Sequence, residues 1–295
     1  MSFLQFRIAI ITLLVLLFFS MTHVFAQTEK EAYKIYTKEG KEVTYQQMVG
    51  EVSKSEIILF GEIHNNPIAH WLKYELTKDL HNSTQDLTLG LEMLEADNQL
   101  ILDEYLQGHI EENHFLNEAK MWNNYKTDYR PLVEFAKENQ LPVIASNIPR
   151  RYANLVYRNG LHALDSLADE AKKWIVPLPV LVDQQLPQYQ KMVASMQGHG
   201  NHNSGEKFIQ AQAIKDATMA YMILKNKKGK FIHFNGAYHS QHEEGIIWYL
   251  RKSAPELQIA TIETVEQENI ESLLEENLNK ADFLICIPES MTKTF

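Results

Sequence analysis

The chain has 295 residues, 45% of them hydrophobic and 10% aromatic, and a formal net charge of −10. Its apolar supply suits one large packed domain, or a domain with an insertion, while the acid excess argues against nucleic-acid binding because no basic face meets phosphates. With a single cysteine, Cys286, intrachain disulfides are impossible and a thiolate metal cluster is disfavoured.

The first residues read as an export signal. Arg7 is the only charge before Glu29, residues 8–19 are apolar apart from Thr12, and Val24-Phe25-Ala26 fits the small-residue cleavage rule. The reading is a signal peptide over 1–26 and a mature chain of 27–295, periplasmic or secreted in a bacterium. An uncleaved anchor is the alternative, although the apolar core is short of the ~20 residues that a spanning helix needs. The absence of a cysteine near the cut leaves no handle for a lipid anchor.

Apolar runs then alternate with helical patterns. Strands are expected over 57–60, 87–91, 143–146, 231–234, 258–262 and 283–287, several without clean alternation, as in strands buried on both faces of a parallel sheet. Asn66-Pro67 starts a helix whose apolar stripe is Ile68, Trp71, Leu72, Leu76 and Leu80. Asp97 caps a second helix, which runs to Leu106 and is closed by Gly108. Helices are also expected over 131–139, 163–174 and 208–225. Residues 263–276 are strongly acidic and read as the solvated face of a helix. Cys286 lies in the last apolar run, the setting of a buried, inert thiol. The whole predicts an α/β fold: a largely parallel sheet flanked by helices, with a smaller helical insertion or cap over about 152–207, ending in a polar, glycine-rich loop.

The chemistry gathers at strand ends. Gly61-Glu62-Ile63-His64 follows the first strand and Gly236-Ala237-Tyr238-His239 the fourth, so each strand ends at a glycine and delivers a histidine three residues later. The second strand ends at Glu92; the third ends at Asn147 and leads to Arg150 and Arg151. In an open α/β sheet these side chains share the ligand-binding edge. Two imidazoles with one or two carboxylates suit a divalent metal, for which the set is His64, Glu92 and His239. A carboxylate beside a histidine is equally an acid/base pair, which for a hydrolase makes Glu62, His64, Glu92, His239 and Arg150 the candidates. Gln212 and Asp216, four apart on one helix face, are placed to buttress this edge. His199, His202 and His242 are candidate loop ligands, and Tyr74, Tyr189 and Tyr238 candidate phenolate ligands for haem iron. Each of these residues also has a plainer structural role open to it.

Taken together, the pieces resemble the ChaN-like haem-binding uptake family, of the superfamily that includes the Tiki/TraB proteins and erythromycin esterases. They are Phe60-Gly61-Glu62-Ile63-His64-Asn65-Asn66-Pro67, Leu91-Glu92-Met93 with Gln99 and Asp103, and Trp122 with Tyr129-Arg130-Pro131. Further along come Ala145-Ser146-Asn147-Ile148-Pro149-Arg150, the run from Gln212 to Ala220, and Gly236-Ala237-Tyr238-His239. The match spans about 43–250. The resemblance implies an α/β core and haem binding in iron acquisition, with His64, His239, Tyr238, His199, His202 and Arg150 as candidate haem-binding residues. It also implies a homodimer with haem at the subunit interface, and an outer-membrane haem receptor as a partner. The Tiki/TraB branch implies instead a metal-dependent hydrolase using His64, His239 and Glu92. Some members are lipoproteins; this chain lacks the cysteine that requires.

Overall fold

A computed structural model describes residues 30–84, 86–196 and 202–295, without the side chains of 196 and 202–204. The export signal expected over 1–26 lies outside the described residues, as do His199 and most of the glycine-rich loop. Two short strands, β1 (Lys34–Thr37) and β2 (Glu42–Val43), lead to helix α1 (Tyr45–Val52). Next come β3 (Ile57–Glu62), α2 (Pro67–Ser83), β4 (Leu87–Glu95), α3 (Gln99–Leu106) and α4 (Glu112–Glu118). A π-helical turn (Tyr125–Tyr129) runs into α5 (Arg130–Glu138), followed by β5 (Val143–Asn147). Helices α6 (Arg150–Asn159), α7 (Asp169–Lys172), α8 (Pro187–Met196) and α9 (His202–Asn226) precede β6 (Lys230–Gly236). Helix α10 (Ile246–Ser253), β7 (Ile259–Gln267) and β8 (Phe283–Pro288) complete the order.

The eight strands form one sheet in the order β2-β1-β8-β7-β3-β6-β4-β5. From β8 to β5 every pairing is parallel; only β1 runs against the rest, antiparallel to both β8 and β2. This is the expected α/β fold. Strand β3 shows why its residues lack polar alternation. Ile58 and Phe60 pack with α2, α3 and α5 on one face, and Ile57 and Leu59 pack with α9 and α10 on the other. Each such side chain contributes about 1.5–3 kcal/mol by leaving water.

Local signals act as read at several points. Asn66 caps α2, its Oδ1 accepting from Ile68 N (3.0 Å) and Ala69 N (3.2 Å), with Pro67 at the first helical position. Trp71 leaves its expected stripe and is half exposed. Asp97 caps no helix: it sits in a 3-10 turn before α3, and its Oδ2 takes Arg151 Nη1 at 2.5 Å. The segment expected as one helix over 163–174 breaks, because Leu167 turns extended between a 3-10 turn (Leu161–Ser166) and α7. The helical addition is nonetheless there, built from α6 to α8. Ile148, Val156, Leu164 and Ile175 form its small core, completed by Ala211 and Ile214 of α9. The acidic stretch from 263 is not a solvated helix. Ile262, Glu263, Thr264 and Val265 belong to β7 and are all buried, because β-branched neighbours favour a strand.

Strand β5 is the outer strand of the sheet, and α3 covers its free side. Gln99 Nε2 donates to Val143 O (2.9 Å) and Gln99 Oε1 accepts from Ala145 N (2.8 Å). One side-chain amide thus occupies the groups that another strand would pair with. Among the described residues no helix is long and apolar enough to cross a membrane.

Candidate functional site

Three neighbouring strands deliver polar side chains to one rim, at the carboxyl ends of the parallel strands. Glu62 ends β3 in register with Gly236, the last residue of β6. On β4 the register against β5 shifts after Leu91, where Glu92 leaves the regular ladder. Gly236 is where these strands' groups meet. A Cβ there would lie 2.7 Å from His64 Nε2 and 3.7 Å from Glu92 Oε2, so glycine's missing side chain is the space that His64 fills.

The first group surrounds Glu62. Its Oε2 accepts from Lys73 Nζ at 2.7 Å, and its Oε1 accepts from Tyr129 OH and faces His64 Nδ1 at 3.2 Å. Lys73 is fully buried, and its ammonium also lies over the Tyr129 ring, 3.9 Å from the centroid. Burial alone would push the Glu62 carboxyl up, but Lys73, His64 and His70 together hold it well below the usual range. His70 Nε2 donates to His64 O (2.8 Å), which also accepts from Asn124 Nδ2 (3.0 Å). Asp128 closes this group, taking Asn124 Nδ2 at 2.7 Å and lying 3.5 Å from His70 Nε2. The π-helical turn supplies both Asp128 and Tyr129, a place where such turns recur.

The second group surrounds His239. Its Nδ1 lies 2.5 Å from Asp216 Oδ1 and its Nε2 lies 3.3 Å from Glu92 Oε1, while Glu92 Oε2 accepts from Gly236 N at 2.6 Å. Tyr189 OH donates to Asp216 Oδ2 at 2.7 Å. Burial works against the His239 proton, yet the two carboxylates raise its pKa to about 10. Burial likewise opposes the Glu92 charge, and His239, His64 and the Gly236 amide hold it down at about 2. The charged form of His239, with both ring nitrogens donating to carboxylates, is therefore favoured.

Among the described residues no group of three or more His, Cys, Asp or Glu side chains is arranged to hold a metal ion as it stands; His64 and Glu92 meet at Gly236, and His239 lies between Glu92 and Asp216. His64 is different from His239. Burial lowers its proton affinity, but the Glu62 bond and the Glu92 charge raise it overall. Its ring is 39% exposed and meets Trp122 edge-on at 4.9 Å, so it alone of Glu62, His64, Glu92 and His239 faces solvent with hydrogen-bonding capacity to spare.

The other expected residues divide. Tyr238, two residues past Gly236, is 59% exposed on the rim. Tyr189 is buried against Asp216, and Tyr74 packs edge-on to Phe135, so neither phenol is open to a ligand as Tyr238 is. Arg150 is exposed at the first residue of α6, and the Glu92 oxygens go to Gly236 and His239 instead. Asp216 buttresses the rim as its helix spacing predicts; Gln212 accepts from Lys215 Nζ instead (3.3 Å). His242 lies half-buried in a left-handed turn (φ 60°). His202 opens α9, and its side chain is outside the described atoms, as all of His199 is. Lys73, His70, Asp128 and Tyr129 were not among the expected site residues. The signal for the first two was His70, Lys73 and Thr77 recurring on the buried face of α2 beside Leu72, Leu76 and Leu80.

A parallel sheet, a rim at its carboxyl edge and a set of buried, compensated charges beneath one exposed phenol define an open α/β ligand-binding protein. The family model described as "Haem-binding uptake, Tiki superfamily, ChaN" matches residues 48–250, and the chain belongs to that family. A solved structure titled as cofacial heme binding to ChaN of Campylobacter jejuni is similar, with a TM-score of 0.67 and 18% identity, covering 88% of this chain and 98% of that one. The erythromycin esterase EreC, a mutant in its open conformation, is similar at a TM-score of 0.51 and 10% identity, covering 88% and 98%. At those identities the likeness is one of fold. No curated protein matches the sequence.

Proposed function

We propose that this chain is an exported haem-binding protein of iron or haem acquisition, with Tyr238 as the axial ligand. Membership of the haem-binding uptake family supports haem as the ligand, and the exposed Tyr238 on the rim is the observation that carries the site. The donor set fits: a phenolate is a haem ligand in its own right, and the half-exposed His64 is a hydrogen-bond partner at the same glycine. Arg150, exposed at the start of α6, is available to a propionate. Bound haem would supply the iron; Tyr238 would hold it, with His64 and Arg150 as polar neighbours. The solved relative from Campylobacter jejuni binds haem cofacially. Transferred here, two copies each present one Tyr238, which supports a homodimer with haem at the interface. Export through residues 1–26, a periplasmic or secreted location and an outer-membrane haem receptor as partner complete the reading.

Titrating the purified chain with hemin tests it. The wild type should develop a shifted Soret band, and Tyr238→Phe should lose it or weaken binding by at least about tenfold, ~1.4 kcal/mol. An unshifted band in the wild type, or an unchanged one in Tyr238→Phe, overturns the assignment.

A further inference from the structure

Behind the rim, on the face covered by α9 and α10, a line of buried polar groups crosses the sheet at right angles to its strands. Ser146 Oγ lies 2.8 Å from His233 Nε2, and His233 Nδ1 lies 3.0 Å from Asn235 Oδ1. Asn235 Nδ2 donates to Ser240 Oγ (2.8 Å) and to Gly236 O (3.0 Å), and Ser240 Oγ donates to Glu263 Oε1 (2.6 Å). All five residues are buried to 1% exposure or less. The line spans β5 to β7, and glycines clear its path. His233 crosses over Gly90 of β4, where a Cβ would lie 2.6 Å from the imidazole, and Glu263 crosses over Gly61 of β3, where a Cβ would meet its carboxyl.

The donors run in one direction. Asn235 Oδ1 can only accept, so His233 carries its proton on Nδ1 and receives Ser146 on Nε2; burial, lowering its pKa to about 4, keeps it neutral. Asn235 spends its amide protons on Ser240 and Gly236, and Ser240 spends its own on Glu263. The line ends at Glu263 Oε1 as acceptor, and Oε2 has no hydrogen-bond partner among the described residues. A neutral carboxylic acid with its carbonyl oxygen toward Ser240 suits that setting better than an anion, which would have one donor for its whole charge.

We propose that Glu263 is a positioning residue of the rim: through Ser240 and Asn235 it locks the Gly236–Ser240 turn that presents Tyr238. The ligand side of this inference rests on the haem reading; the locking of the turn does not. Facing Glu263 are Ser240 and His239 from that turn and Lys280 from the loop before β8; burial, countered by these three, raises its pKa to about 8. Burial and Lys191 lower that of Lys280, and His239 stays charged to about 10. Glutamine reproduces the neutral acid in shape and in its Oε1 acceptor, whereas alanine removes the end of the line.

The test uses the full chain as wild type, Glu263→Gln, Glu263→Ala and Ser240→Ala, read by hydrogen exchange of the 236–240 amides without hemin and by hemin titration. Glu263→Ala and Ser240→Ala should speed exchange of that turn about tenfold relative to the rest of the sheet, the size of one buried hydrogen bond, and weaken hemin binding by a similar factor. Glu263→Gln should match the wild type near neutral pH. It should also abolish the extra exchange that the wild type shows above about pH 8, after correction for the intrinsic pH dependence. If Glu263→Ala fails to fold, Ser240→Ala carries the test, since it cuts the same link. Exchange as slow in these variants as in the wild type overturns the proposal, whatever hemin does. A wild type that ignores hemin while the exchange pattern holds sinks the haem reading and leaves the positioning role standing.

Discussion

Lys73 is a costly residue to disturb. A fully buried ammonium is tolerated only because Glu62 Oε2 sits 2.7 Å away and the Tyr129 ring lies beneath it. Removing one partner leaves the other charge alone in a poorly polarisable interior. Lys73→Met is therefore expected to destabilise the fold by about 3–5 kcal/mol, and Lys73→Met with Glu62→Gln to recover much of that loss. Urea unfolding of the single and double variants decides it: equal losses in both would mean that the pair contributes packing and not charge compensation. Of these two residues only Glu62 was legible in the sequence. A carboxylate two residues after an apolar run and beside a glycine announces a strand end. A lysine in a helix announces nothing unless its spacing against the apolar stripe is counted, and Lys73 falls one residue after Leu72, on the inward side. Glu263 was misread for the opposite reason. The density of acids after it suggested solvent, although its immediate neighbours Ile262, Thr264 and Val265 already spelled a strand.

Helix α2 couples the rim to the fold. Its cap, Asn66, accepts two backbone amides and donates from Nδ2 to Glu266 Oε1 (2.7 Å) at the end of β7. The same helix then sends His70 and Lys73 inward to Glu62. Asn66→Ala removes the cap and the tie together, and is expected to cost about 1–2 kcal/mol by thermal or urea unfolding. A loss below a few tenths would show that water replaces the side chain at no penalty. At this scale much was legible. Asn66-Pro67, the apolar strands and the long helix α9 follow from local chemistry that tertiary contacts merely reinforce. What escaped was the detail set by distant partners. Asp97 is drawn from its capping role by Arg151, 54 residues away in sequence, and no local pattern contains that attraction.

Across the whole molecule, buried titrating groups set how stability varies with pH. Glu92 has its pKa lowered to about 2, so its contribution is present above the unfolded value near 4.3 and is lost as pH falls through about 2. His239 is raised to about 10, and its contribution is full below about 6.5 and lost as pH rises through about 10. Glu263 is raised to about 8, with its contribution full below about 4.3 and lost through about 8. Acid unfolding and alkaline unfolding thus have separate origins. The urea midpoint should be greatest near about pH 4–5 and decline from there toward pH 10, and Glu263→Gln should flatten the part of that decline below about pH 8. A midpoint that rises with alkalinity contradicts this account.

The amide of Gln99, laid against Val143 and Ala145, has a consequence for how copies of this protein meet. Lateral growth of the sheet is capped there by a side chain that counterfeits a strand, and at the far margin β2 is two residues long. Neither flank offers a ladder on which a neighbour can climb. Ribbon-like stacking of copies through the sheet margins is thereby disfavoured, and the aromatic hydroxyl at the mouth of the molecule stays in the open.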